Sequence, residues 1–380
     1  MSIKADLAER DHRYQYIREA MARERLDALI VSGNGGHFNR GHIRYFSDCH
    51  SWAGDAMILI PLSGEPTMAW VTYAGIGAPM YPWITDLRRT PFPPKQIIAA
   101  MNEKGLTRGR VGIAGMARLV SAQAYEMLCA NLPDVQFVNA DIVAAQVRAV
   151  KSPLEIQQYR EVWQLSAQAM QAFLDTVGPG ITERDAAAAA GKVMRAGGSW
   201  DDLTIITEGD FRGLPRDVPL RCDNLVRLHL EICGESGHWS EIDCTAAFRE
   251  PTATELRLME SELSAYEELR KVAKPGILLS DLARRFDEYM VEEGWSLRAP
   301  SWHFYFHGHG LDDIEWPWYT PMLEDNQDTM LQAGMVLNYH PHRDTDPYVL
   351  WSTNITDDLL ITDQGGVRLS GDWDFRWRVQ

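Results

Sequence analysis

Apolar residues in the first third of the chain follow two alternating periods. Residues 14–24 carry them at helical spacing, and residues 26–31 form a continuous apolar run of strand length. Further strands are predicted at 56–60 and 67–71, flanking the turn Leu62-Ser63-Gly64-Glu65. Strands at 111–114 and 136–137 follow, with a helix over 121–130 between them. Helix and strand in alternation predict an α/β domain. It ends near Lys151-Ser152-Pro153, where Ser152 can cap a helix with proline in its first turn and Glu155 at the third position, a capping box. A long helix to about residue 177 is predicted from there. The domains are therefore placed at 1–150 and 151–380.

The second domain contains an internal repeat. Gly178-Pro179-Gly180-Ile181-Thr182-Glu183 and Lys274-Pro275-Gly276-Ile277-Leu278-Leu279-Ser280-Asp281 each place a Pro-Gly-Ile turn between a long helix and an amphipathic one. Duplication of this kind predicts a pseudo-twofold α+β domain. Its strands are predicted at 203–207, 225–233, 240–248, 335–339 and 359–362. The second and third of these join through Gly234-Glu235-Ser236-Gly237 as a hairpin.

At 380 residues the chain exceeds one ordinary core. A net charge of -16 argues against nucleic-acid binding. No apolar run reaches the roughly 18 residues of a membrane span, and residues 1–13 are too polar for a signal peptide. The five cysteines show no CxxC pair or even framework, which fits packing roles in a reduced, cytoplasmic setting.

The chemistry concentrates late in the chain. Seven of eleven histidines fall between His229 and His342. The run Phe306-His307-Gly308-His309-Gly310 is followed by Asp312, Asp313 and Glu315. His229 and Glu231 lie two apart on one predicted strand and Glu241 and Asp243 on the next, so each pair faces one side. That side either lines a site or is the solvated face of an edge hairpin. His340 and His342 flank Pro341 at a strand end, as ligands or as turn residues. Arg216 either holds a carboxylate or is a surface arginine. Trp302, Trp316, Trp318 and Trp351 line an aromatic pocket or serve packing.

Together these landmarks resemble the pita-bread superfamily of aminopeptidase P, prolidase, methionine aminopeptidase and creatinase. The carrying segments are Val150-Lys151-Ser152-Pro153, Gly178-Pro179-Gly180-Ile181, His307-Gly308-His309-Gly310, Leu331-Gln332-Ala333-Gly334-Met335-Val336 and Leu359-Leu360-Ile361-Thr362-Asp363. The resemblance implies a creatinase-type, ribonuclease-H-like α/β domain followed by a pita-bread catalytic domain. It also implies a homodimer with the site at the subunit interface.

In the superfamily's metallopeptidases, Asp, Asp, His, Glu and Glu hold two metals. The corresponding positions here are Glu231, Glu241, His307, His340 and Thr356, so only the histidine is unchanged. Ile314 stands where the peptidases carry a second histidine, and Pro215 or Arg216 stands where another is found. The segment from Gly310 to Pro317 and the ten-residue spacing of the two acids look most like the dimethylsulfoniopropionate lyase branch. The resemblance thus implies a creatinase-like hydrolase or lyase acting on a small polar or zwitterionic metabolite, not a typical metallopeptidase. It implies no cofactor, with Glu231, Glu241, His307, His340 and Glu315 as acid–base residues. His229, His309, Asp243, Arg44, Arg216 and Trp302 would contact substrate. Three alternatives stay open: one divalent transition metal on Glu241, His307 and His340; a metal-dependent Xaa-Pro peptidase; and a binding protein without turnover.

Overall fold

The computed structural model describes residues 6–51, 53–71, 82–209, 211–297, 305–320, 328–341, 345–346 and 355–380. Trp302, His342 and Trp351 lie outside them. The chain divides into two compact units, Met1–Arg148 and Ala149–Gln380.

The first unit is built on six strands: β1 (Ala28–Gly33), β2 (Ala56–Pro61), β3 (Thr67–Trp70), β4 (Asp86–Arg89), β5 (Arg108–Ala114) and β6 (Asp134–Asn139). Their order is β4-β3-β2-β1-β5-β6. Both faces of β1 and β2 are buried, which is why they read as unbroken apolar runs. Ile30, Leu59, Val111 and Ile113 pack with Ile97 and Met101 of the helix Pro93–Glu103.

In the second unit the capping box forms as its sequence predicts. Ser152 accepts from the Glu155 amide, Glu155 accepts from the Ser152 amide, and the helix runs Pro153–Leu174. Ten strands form two five-stranded sheets. The first contains β7 (Asp201–Glu208), β8 (Phe211–Gly213), β9 (Leu225–Cys233), β10 (Trp239–Ala247) and, at its edge, β18 (Arg378–Val379). The second has the order β13-β12-β14-β16-β17, from β12 (Phe306–Gly308), β13 (Glu315–Tyr319), β14 (Val336–Tyr339), β16 (Asp357–Thr362) and β17 (Gly365–Arg368). A small ribbon pairs β11 (Ser296–Leu297) with β15 (Thr345–Asp346).

The repeat is exact at the level of hydrogen bonds. Gly180 N–H donates to the Leu220 carbonyl and Leu220 N–H returns to Ile181. Gly276 donates to Leu331 and Leu331 returns to Ile277. Both glycines sit at positive φ, +82° and +89°, which L side chains rarely adopt. The two halves thus use one turn to hook a helix pair onto a sheet.

Candidate metal centre

The hairpin β9–β10 supplies the acids. Its register sets Glu231 opposite Glu241 and His229 opposite Asp243, so all four side chains share one face. The other face carries Leu228, Leu230, Ile232 and Ile242, which pack with Trp163, Met170 and Phe173 of the helix behind. His229, Glu241 and Asp243 are buried. The polar face therefore lines an interior site and is not a solvated edge.

The second sheet supplies the histidines. His307 lies at the centre of β12, between Trp318 of β13 and Asn338 of β14. His340 follows β14 directly. Glu241 Oε2 lies 3.7 Å from His307 Nε2 and 3.7 Å from His340 Nε2, and all three residues are buried. His307 Nδ1 lies 2.9 Å from the Gly308 carbonyl oxygen. A carbonyl only accepts, so Nδ1 carries a proton there, and Nε2 is the nitrogen turned toward Glu241.

These residues fit a divalent metal. Ligands about 2.1 Å from one ion lie roughly 3.0–3.5 Å apart, depending on geometry. The three donor atoms fall within 4.8 Å of one another. Two imidazoles and a carboxylate are a transition-metal donor set. The expectation that the site has no use for a metal is thus corrected by its geometry.

Around this cluster the remaining polar groups are paired. His229 contacts Glu231 Oε1 at 3.0 Å through Nε2 and Asp243 Oδ1 at 3.2 Å through Nδ1. Burial opposes its protonation, but Asp243, Glu231 and Glu241 together hold its pKa well above the usual imidazole range. Burial pushes Glu231 upward, yet hydrogen bonds from Asp313 and His229 hold it below the ordinary range. Asp313 is raised by burial and by the adjacent Glu231 charge, which favours its protonated form as hydrogen-bond donor to Glu231. His309 is fully buried between Asp358, 2.8 Å from Nδ1, and Asp313, 3.4 Å from Nε2. Trp163 and Asn338 donate to the same Asp358.

Other residues predicted for the site stand elsewhere in this network. Glu315 forms a buried ion pair with Lys151. Arg216 donates to Glu183 and lies over the Phe211 ring. Arg44, in the first unit, pairs with Asp48 at 3.2 Å.

Sequence reasoning missed Arg212, Arg227 and Asp358, and noted Asp313 only as one of the acids after the histidine run. Arg227 had a signal, since it precedes His229 by two on the same strand. Arg212 had none. Only the register, Arg212 beside Thr207 and Thr207 beside Arg227, puts its exposed side chain on the polar face.

The chain thus joins an α/β unit to a two-sheet unit that carries a buried histidine–carboxylate cluster. The chain matches the Creatinase/Prolidase N-terminal domain over residues 13–150 and metallopeptidase family M24 over residues 157–370. It belongs to metallopeptidase family M24. It is 26% identical over 242 residues to the Xaa-Pro dipeptidase of Pyrococcus furiosus, covering 62% of this chain and 67% of that one. It is 23% identical over 379 residues to the ectoine hydrolase of Halomonas elongata, covering 92% of each. The fold is that of the prolidase from Pyrococcus horikoshii OT3, with TM-score 0.76, 23% identity and coverage of 94% and 98%. It is equally that of the X-Pro aminopeptidase from Thermotoga maritima, with TM-score 0.80, 18% identity and coverage of 97% and 99%.

These matches overturn one reading of the sequence. A creatinase-like hydrolase or lyase outside the metallopeptidases was expected from the replaced ligands. Family membership and the Xaa-Pro dipeptidase relatives place the chain with the metallopeptidases instead. A lyase branch finds no support among them. Among the described residues, no helix is long and apolar enough to cross a membrane.

Proposed function

We propose that the chain is a metal-dependent peptidase of the Xaa-Pro dipeptidase type, with Glu241, His307 and His340 holding a divalent transition metal. The observation that carries this reading is the convergence of three buried donors from two sheets, each histidine 3.7 Å from one carboxylate oxygen. When bound, such a metal supplies Lewis-acid polarisation of a scissile carbonyl and a source of nucleophile at neutral pH.

The chain's own residues supply the rest. Glu231 is the most open of the site acids, with 17% of its side chain exposed against 5% for Glu241 and 3% for Asp243. Hydrogen bonds from His229 and Asp313 keep it ionised, so it is placed to accept a proton from an attacking water. Arg212 stands on the same face, and its guanidinium is suited to a dipeptide's terminal carboxylate. Asp358 holds the His309 imidazole, and Tyr159 donates to the His309 carbonyl between the two glycines.

The test is release of proline from a panel of Xaa-Pro dipeptides by protein loaded with Mn²⁺, Co²⁺ or Zn²⁺. Metal-dependent cleavage with preference for proline at the second position is expected. Equal activity with and without chelator, or no cleavage by protein shown to hold metal, would overturn the reading.

A further inference from the structure

The family's two-metal arrangement needs a second set of free acid donors beside the first. In this chain the residues flanking Glu241 are His229 and Asp243, and the three bring donor atoms within 4.8 Å of one another. Those donors are already used. Asp243 Oδ1 accepts from Arg227 Nε at 2.8 Å, with Arg227 Nη2 at 2.7 Å, and faces His229 Nδ1 at 3.2 Å. Asp243 Oδ2 accepts from Thr356 Oγ1 at 2.6 Å. Glu231 Oε1 is held by His229 Nε2 at 3.0 Å. Glu241 is divided: Oε1 faces His229 at 3.7 Å, and Oε2 faces His307 and His340.

Arg227 decides the matter. It is 4% exposed and runs along the same strand face as His229 and Glu231. A guanidinium stays charged at every accessible pH, so its cation is permanently built in against Asp243. A dication brought to the same carboxylate would have to displace that guanidinium within the interior, where charge repulsion is weakly screened. Thr356 offers a neutral hydroxyl and cannot restore the balance.

We infer that Arg227 and His229 occupy the place of a second metal, so that the chain binds one divalent ion where the family arrangement uses two. Arg227 pairs with Asp243 and His229 bridges Asp243 to Glu231, which leaves Glu241 Oε2 as the acid oxygen for the single ion. This rests on the metal reading proposed above, and the experiment separates the two. The full-length protein is stripped with chelator, titrated with Mn²⁺, and freed of excess by gel filtration. Bound metal is then counted by plasma mass spectrometry, and the Mn²⁺ form is examined by electron paramagnetic resonance. One ion per chain with an isolated six-line spectrum is the expected result. Two ions per chain with exchange-coupled signals would overturn the inference while leaving the proposed function standing. No retained ion would overturn the metal reading and this inference with it.

Discussion

Gly308 faces the backbone of Trp316 so closely that a β-carbon on it would lie 2.6 Å from the Trp316 carbonyl oxygen and 2.8 Å from the carbonyl carbon. The glycine beside His307 is therefore a packing requirement between β12 and β13. Backbone cannot swing aside as the end of a side chain can. Gly308→Ala should cost roughly 3 kcal/mol, the upper end of ordinary overpacking. It should also displace His307 from Glu241. Thermal unfolding and metal retention check this together. An alanine variant of native stability that keeps its metal would contradict it.

The metal reading predicts a shared phenotype for residues far apart in sequence. Glu241→Gln, His307→Ala and His340→Ala should each lose bound metal and reduce kcat/KM by roughly 10³-fold or more, since Lewis-acid stabilisation contributes several kcal/mol. Glu241→Gln keeps the volume of a buried side chain and should fold as the parent does, whereas the two His→Ala variants also open buried space. Metal content and circular dichroism measured on the same samples decide the point.

Arg212 and Arg216 are predicted to behave differently. Arg216 is held by Glu183 outside the site, whereas Arg212 lies on the polar face, across Thr207 from Arg227. Arg212→Gln should raise KM for a dipeptide by roughly 10- to 100-fold, the worth of one charged hydrogen bond, with little change in kcat. Arg216→Gln should leave KM unchanged. Steady-state kinetics on both variants provide the comparison, and equal effects would remove Arg212 from the substrate site.

Asp358 is wholly buried and holds His309 at 2.8 Å, with Trp163 and Asn338 donating to it as well. Removing one partner of a buried pair typically costs about 3–5 kcal/mol. Asp358→Ala should therefore lower Tm by roughly 10 °C for a unit of this size. Asp358→Asn, which keeps an acceptor for the imidazole, should recover part of the loss. Differential scanning calorimetry of both variants is the measurement.

What the sequence made legible was local or periodic. The Ser152–Glu155 capping box spans three residues, and its hydrogen bonds form as expected. The acids of β9 and β10 were readable because strand alternation puts residues two apart on one face. The turns at Gly180 and Gly276 were readable because each repeats a Pro-Gly-Ile signal.

The illegible parts depend on long-range pairing. β12 has three residues, too few for any period, yet it places His307. Lys151 meets Glu315 across 164 positions, and no local pattern announces it. Arg216 drew attention over Arg212 because it lies in the loop that matches a family histidine, while only strand pairing places Arg212 of β8 on the polar face. The peptidase class was argued away from the substitutions His340 and Thr356. In the folded chain His340 nevertheless converges with Glu241 and His307, so the changed residue type still offers a donor beside them.

Asp357, next to Asp358 on β16, points to the other side of the sheet and makes a separate prediction. Burial raises it to about 6 from the ordinary 3.8, against the hydrogen bonds from Tyr266 and Ser370 and the charge of Arg368. Tyr266 Oη lies 2.5 Å and Ser370 Oγ 2.8 Å from its Oδ2. Because the folded pKa is the higher one, the folded state binds the proton more tightly than the unfolded chain. This contribution to stability is fully present below about pH 4, the unfolded carboxyl's range, and is lost as pH rises through about 6. Asp357→Asn keeps a neutral group of the same shape and removes the titration. Relative to that variant, wild-type protein should lose stability steadily between about pH 4 and 6 and change little above about 7. Unfolding by urea across this range tests it, with the difference between the two proteins as the readout. Curves that stay parallel from pH 4 to 8 would show that Asp357 titrates in the fold as it does in water.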